Sequence, residues 1–477
     1  MIRLGGSTMP KIIKRAFVPL SEIKTVRQIA EIFFYVNVGG KPRLVHFVET
    51  SADGNALALE FVTDEDFKKL FANRRKMMDV SDPEDFNKAP VMRSASIAEI
   101  FLKAHDRPTY DRLVFEADPK RLRPTDFNMW NGFSVKPKKG EWGLMRAMIE
   151  ESIANGDFEH FLWILKWCAW AVQNPTQRAE VCLAMRSTAQ GTGKGLLGRT
   201  MCRFFGPHAQ HIYRPGAVTG RFNSQLASCA LLFDDESEYA GDPAAASLMK
   251  GLITEPTIDI ERKGVDTITL PNSLKHIKAT NKQWVAPVEA GDRRYAIFNT
   301  SEKLANDRAY FAPIYRQLQR DGGAGYSAML YDLLNMDLRG WRPSVEIPNT
   351  DARAEQKELS LPAAEKWLLG YLESGVLPFT NPKWPNRVCR QEEFYTLAKR
   401  SSRELSFWSS VRFSKFLDSW GVPGKTSNGH YRDFGSLSAL RARWMERYPW
   451  YLGFRTEGDW TYERSDFDDV TAEMEFG

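Results

Sequence analysis

The chain has 477 residues, 43% of them hydrophobic and 26% charged, which exceeds what one hydrophobic core organises, so two or three folded domains are expected. A formal net charge of +5 permits a polyanionic partner without establishing one, because basic groups must cluster to make a binding surface. The cysteines (Cys168, Cys182, Cys202, Cys229 and Cys389) show no CxxC pair and no zinc spacing, and the longest apolar runs, such as Phe161 to Val172, are too short to cross a bilayer. A reduced cytoplasmic setting with no membrane role is therefore expected, the more so because the N-terminus lacks a signal-peptide core; Ile2 to Thr8, ahead of Met9, read as an unstructured extension.

Residues 1–106 read as a small α+β region. It holds a helix from Val26 to Phe34, strands over Arg43–Val48 and Ala56–Val62, a lysine-rich helix around Asp66–Met77, a polar break from Asp79 to Lys88, and a helix near Ile97–His105. Residues 107–180 read as a linker rich in Arg, Pro and Asn followed by a helical collar, whose aromatic and aliphatic spacing over Gly140–Gln173 is that of a buried helix. Residues 181–301 alternate strand-like runs (Val181–Met185, Ala230–Phe233, His276–Ala279, Ala296–Asn299) with helical ones from Lys194 and Ala244, the pattern of a three-layer α/β domain with a largely parallel sheet. A helical extension over 302–350 and a mixed C-terminal unit over 351–477, winged-helix-like from Gln391 to Phe434, complete the expected order.

Four elements of the α/β segment carry chemistry. Gln190-Gly191-Thr192-Gly193-Lys194-Gly195 follows an apolar strand and opens a helix, where glycines let backbone N–H groups face phosphates and Lys194 reaches the γ-phosphate. The match to a phosphate loop is imperfect, with Thr188 at the first glycine's place and Gly195 where a metal-binding hydroxyl belongs. The bland alternative is a glycine turn capping a buried helix. Ala230 to Glu236 is an apolar strand ending in three acids, suited to holding Mg²⁺ (Asp234 or Asp235) and orienting water (Glu236), with their register left open; an acidic strand end is otherwise a solvated turn. Asn281, at the tip of the run from Leu274, suits a sensor of the γ-phosphate or the lytic water, or is a plain turn residue. Arg293 and Arg294 suit charge neutralisation on the transferred phosphoryl group of a neighbouring subunit, or a salt bridge to Glu289.

In this order the four elements resemble superfamily 3 helicases, particularly the helicase part of phage and plasmid primase-helicases and their poxvirus relatives. The segments Phe127 to Phe133, Trp167 to Pro175 and Gly220 to Asn223 resemble further segments of that group, and the likeness covers roughly Arg107 to Ser301. The resemblance implies an AAA+-like P-loop core, ATP and Mg²⁺, a hexameric ring and movement on single-stranded or forked DNA, with a separate primase or other replisome protein as a possible partner. It further implies that the hairpin suggested by Thr257–Ile260 and Thr267–Leu270 projects into the ring channel, where Lys263 and then Arg262 grip the DNA backbone. Competing readings are a packaging motor, which should carry a nuclease domain not visible after Leu359, and an ATP-controlled replication initiator. The C-terminal interleaving of Phe407, Trp408, Arg412, Lys415, Trp420, Lys425, Arg432, Arg441 and Arg443 suggests a DNA-contacting surface, or else core aromatics.

Overall fold

A computed structural model describes residues 18–49, 57–79, 92–213, 223–236, 243–262, 265–286, 288, 292–378, 388–424 and 431–463. The chain divides into two compact units, Met1–Lys282 with Asn299–Ile347, and Gln283–Phe298 with Pro348–Gly477.

The first unit opens with α1 (Val26–Ile32), held at its start by a reciprocal capping box between Thr25 and Gln28. Strands β1 (Phe34–Val38), β2 (Lys41–Glu49) and β3 (Leu57–Val62) pair antiparallel. The lysine-rich helix expected around Asp66–Met77 is shorter: α2 (Asp64–Leu70) stops, and Arg75–Asp79 is a strand, β4, paired antiparallel with β5 (Met92–Ser96). The main-chain N–H of Arg74 returns to the carbonyl of Phe71, closing a turn between helix and strand. After α3 (Ile97–Lys103), β6 (Thr109–Tyr110) joins β1 in parallel, and β7 (Arg112–Val114) pairs with β8 (Asp126–Asn128). Helices α4 (Gly143–Met148) and α5 (Phe158–Gln173) follow; most of α5 is buried, and Trp167 Nε1 donates to the Val181 carbonyl at 3.0 Å.

Four strands then form a parallel sheet: β9 (Cys182–Arg186), β10 (Ala209–Ile212), β11 (Leu231–Asp235) and β14 (Lys275–Thr280), neighbours in the order β10-β11-β14-β9. Strand β10 was not foreseen, being a short run at the edge of the parallel set with only Ile212 buried. Between the strands run α6 (Lys194–Phe205), α7 (Pro243–Thr254) and a hairpin of β12 (Thr257–Arg262) and β13 (Val265–Pro271). The hairpin does not stand alone. Its Ile258, Ile260 and Ile268 are buried in one cluster with Phe34, Val36 and Phe47 of the N-terminal sheet.

The second unit collects β15 (Tyr295–Asn299) up to Phe298 and the C-terminal elements. Residues 283–298, expected within the α/β domain ending at 301, belong here because α9 (Asp351–Leu359) binds them. Gln356 accepts from Val285 N at 2.7 Å and donates to the Gln283 carbonyl at 2.6 Å, while Thr350 Oγ1 donates to the Ile297 carbonyl. Ahead of α9 in the chain lies α8 (Arg308–Asn335) of the first unit, interrupted by non-helical backbone at Arg320–Gly323. After α10 (Ala363–Ser374), β16 (Val376–Pro378) and β17 (Val388–Arg390) come α11 (Gln391–Ser401), α12 (Arg403–Ser406) and α13 (Ser410–Ser419). Then β18 (Tyr431–Asp433) pairs antiparallel with β17, α14 (Leu437–Arg447) follows, and β19 (Thr461–Glu463) pairs with β16. Trp367, Phe394, Phe413, Trp420 and Trp444 fill the core of this unit. No helix among the described residues is long and apolar enough to cross a membrane.

Candidate functional site

The glycine loop is built as its sequence requires. Gly191 and Gly193 have φ of +72° and +90°, the left-handed region that a Cβ disfavours. A Cβ on Gly191 would also meet the Asn306 backbone nitrogen at 2.9 Å, and one on Gly193 would meet Met148 Sδ at 2.6 Å. Gly193 caps α6, so the loop brings a helix N-terminus, with its unsatisfied N–H groups and partial positive charge, to a cleft of about 590 Å³. That cleft is lined by the whole predicted loop from Gln190 to Gly195, and by Asp235, Glu236 and Asn281.

Lys194 folds back over its own loop. Its Nζ donates to Ser187 Oγ, to Thr192 Oγ1 at 3.1 Å and to Asn281 Oδ1 at 3.0 Å. Burial lowers its pKa from the usual lysine value, against the opposing pull of Glu236, Glu302 and Asp235. Thr188, at the place of a first glycine, is engaged by Glu302. One oxygen of that carboxylate accepts from Thr188 N at 2.6 Å, Thr188 Oγ1 at 2.7 Å and Ala189 N at 3.1 Å, and these bonds hold its carboxyl below the usual range. Glu302 thus tethers the outer end of the loop.

The three acids part company at the end of β11. Asp234 is fully buried and accepts from Lys278 Nζ at 3.0 Å, directly across the strand register in β14. It does not line the cleft, which corrects its expected metal role: a strand turns successive side chains to opposite faces, and Asp234 falls on the wrong one. Asp235 does line it, with Oδ2 at 3.2 Å from His211 Nε2 and 3.8 Å from Arg199 Nη1. Glu236 sits just past the strand at φ +64°, its N–H donating to the Ala279 carbonyl at 2.9 Å. Asn281 Nδ2 donates to Glu236 Oε1. Asn281 therefore joins lysine to glutamate in one continuous set of hydrogen bonds.

The same residues bear on the expected Mg²⁺. Gly195 supplies no hydroxyl, Asp234 faces away, and Asp235 is already engaged by an arginine and a histidine; among the described residues no cluster of three acidic, His or Cys side chains suits a metal. What the cleft offers a divalent ion is the two carboxylates Asp235 and Glu236, without the hydroxyl of the usual loop.

Several cleft residues escaped the sequence reading. Arg199 lies one helical turn after Gly195, and Asn306, Asp307, Arg308, Phe311 and Tyr315, at and just before the start of α8, also line the cleft. The signal available was the spacing of Arg308, Phe311 and Tyr315, three and four residues apart on one helical face. Of the expected trans-acting pair, Arg294 is tied within its own unit to Asp292, through N at 2.7 Å and Nη1 at 3.1 Å, whereas Arg293 is exposed. Arg262 ends β12, opposite Val265, while Lys263 lies outside the described residues. Asn223 anchors the hairpin: its Nδ2 donates to the Asp259 carbonyl at 2.8 Å and its Oδ1 accepts from Glu261 N at 2.8 Å.

The C-terminal basic and aromatic series divides between core and surface. Trp420 is buried and stacks on Trp444 at 5.1 Å, Arg432 is buried and reaches the exposed Asp418 carboxylate, and Arg441 is buried against the carbonyls of Leu372 and Thr456. Lys415 and Arg412 are exposed, the latter 4.0 Å from the Trp408 ring, and Phe407 is 79% exposed; Arg443 donates to the Trp420 carbonyl, and Lys425 lies outside the described residues.

Residues 185–294 match a family of unknown function (DUF5906), which spans the glycine loop through Arg294. Over 234 residues the chain is 21% identical to the DNA primase-polymerase of Nitratiruptor phage NrS-1, a match covering 46% of this chain and 32% of that protein. The apo structure of the NrS-1 C-terminal region superposes with a TM-score of 0.52 at 15% identity, covering 89% of this chain and 92% of that one. The likeness is one of fold. A second apo form of the same region gives a TM-score of 0.51 over 91% of this chain.

Proposed function

We propose that the cleft binds the triphosphate of ATP and hydrolyses it to drive movement along single-stranded DNA, the protein serving as a ring-forming replicative helicase of a phage or mobile element. The observation that carries this reading is the contact of Lys194 Nζ with Asn281 Oδ1 at 3.0 Å, at the mouth of a glycine loop and beside Glu236. Few arrangements bring a loop lysine, a strand-tip amide and a carboxylate to one helix N-terminus for purely structural reasons. The strand bearing Asn281 lies between those bearing the loop and the acids, so a change at the phosphate is felt on both sides. The similarity to a phage DNA primase-polymerase favours DNA as the polymer.

In this mechanism Lys194 and the loop N–H groups bind the β- and γ-phosphates. Glu236 orients a water for in-line attack on the γ-phosphorus; the new P–O bond forms as the bond to the β-γ bridging oxygen breaks, and the water's proton passes to Glu236 and then to solvent. Asn281 holds Glu236 before reaction and reports loss of the γ-phosphate to β14, which follows the hairpin directly in sequence. Arg262, at the end of β12, and Lys263, next to it in sequence, are the proposed DNA grip, and Arg293 the proposed group for a neighbouring subunit's site. The deciding experiment measures ATP turnover by the full chain with and without single-stranded DNA. DNA-stimulated turnover, lost in Lys194→Ala and uncoupled from DNA in Lys263→Ala, is expected; turnover indifferent to Lys194→Ala removes the reading.

A further inference from the structure

Arg199 sits where the chemistry of a phosphate loop ordinarily needs something else. It lies four residues after Gly195 on α6, hence on the same face, and long helical side chains lean toward the helix N-terminus. A Cβ built on Gly195 would lie 2.6 Å from Arg199 Nη1 and 3.2 Å from its Cζ, so the guanidinium fills the space beside the first turn that a Ser or Thr side chain would enter. Its Nη1 is 3.8 Å from Asp235 Oδ2, and both residues line the cleft with Lys194. In the usual loop the residue after the lysine offers a hydroxyl to Mg²⁺, and that ion neutralises phosphate charge. Here the hydroxyl is missing, the neighbouring carboxylate is already engaged, and a permanent cation stands in the gap.

Resting on the nucleotide-site reading above, we propose that Arg199 binds phosphate oxygens of the triphosphate directly, replacing the protein-held divalent ion, so that nucleotide binding does not depend on metal. Its planar fork of donors matches two phosphate oxygens at once, and its charge does not titrate away near neutrality. The half-exposed side chain is free to leave Asp235 for a phosphate, and Gly195 is the substitution that makes room for it.

The test is equilibrium binding of a fluorescent ribose-labelled ATP analogue to the full chain, in Mg²⁺ and in EDTA, for wild type, Arg199→Ala, Arg199→Lys and Lys194→Ala, with thermal unfolding to show that each variant is folded. Wild-type affinity should change by less than about threefold on metal removal, while Arg199→Ala should lose about tenfold or more in EDTA, as expected for one charge-assisted contact. Arg199→Lys should recover part of that loss. Should wild type bind tightly only with Mg²⁺, or should Arg199→Ala match wild type in EDTA while Lys194→Ala has lost binding, the Arg199 assignment is overturned and the nucleotide site stands. Absence of binding by wild type in both buffers overturns the nucleotide site itself and Arg199's role with it.

Discussion

Asn281 accepts a 3.0 Å hydrogen bond from Lys194 Nζ through its Oδ1 and donates to Glu236 through its Nδ2. An amide is suited to this place because it offers both polarities within one side chain, and a carboxylate there would face Glu236 with like charge. Asn281→Asp should therefore retain nucleotide binding and lower turnover by roughly a hundredfold, the scale of losing one preorganised catalytic contact. Binding titration beside a phosphate-release assay checks this; unchanged turnover would remove Asn281 from the mechanism.

Glu236 and Asp235 both reach the cleft, and they should separate in kinetics. Glu236→Gln is expected to bind ATP normally and turn it over at least about a hundredfold more slowly. Asp235→Asn releases Arg199 and His211 instead, so its principal effect should fall on affinity. The reverse pattern would exchange the two roles.

For Asp234 the expectation is structural. Asp234→Asn leaves the nearly buried Lys278 ammonium without its counter-charge, and breaking such a pair costs about 3–5 kcal/mol. Urea unfolding should show that loss, and replacing both partners by apolar residues of similar volume should recover much of it. A stable Asp234→Asn protein with a purely catalytic defect would contradict the placement.

The Glu302 tether gives a pH dependence of known sign. Its carboxyl is held below the ordinary value by Thr188 and Ala189, so its contribution is complete above a pH of about 4.3 and disappears as pH falls through the lower folded value. The difference in thermal midpoint between wild type and Glu302→Gln should be present at neutral pH and vanish on acidification. A difference that persisted unchanged at pH 3 would show that the carboxylate charge is not what holds the loop.

If rings share their sites through Arg293, mixing Arg293→Ala with Lys194→Ala protein should restore part of the turnover, because some interfaces then join an intact loop to an intact arginine. Arg294→Ala should need no such rescue and keep most of its turnover, since Arg294 is engaged with Asp292 and Arg293 remains in place. Mixtures with no activity beyond either parent would argue for a site complete within one chain.

The loop and Asn281 were legible in the sequence because their requirements are local: glycines at positive φ, a lysine opening a helix, an amide ending an apolar run. Asp234 and Asp235 were not separable, since which face a strand residue takes depends on its neighbours in the sheet, and here Lys278 across the register decides it. Arg199 was invisible for a related reason: its meaning comes from the absence of a side chain at Gly195 and from an acid on another element. Phe311 and Tyr315 reach the cleft only through folding of a segment more than a hundred residues after the loop. Within the aromatic and basic C-terminal series Arg432 and Arg441 were not separable from surface groups, because long arginines satisfy carbonyls and carboxylates inside a core as readily as phosphates outside one.

The burial of Ile258, Ile260 and Ile268 against Phe34, Val36 and Phe47 bears on how this polypeptide can be cut. A fragment beginning at the motif-rich stretch near Arg107 would shed the sheet that packs with those isoleucines and leave a sticky apolar shoulder on the hairpin proposed to grip DNA. Recombinant work on residues 107–301 alone would then meet clumping that says nothing about the cleft, and the N-terminal hundred residues are better regarded as the hairpin's other half than as a removable accessory.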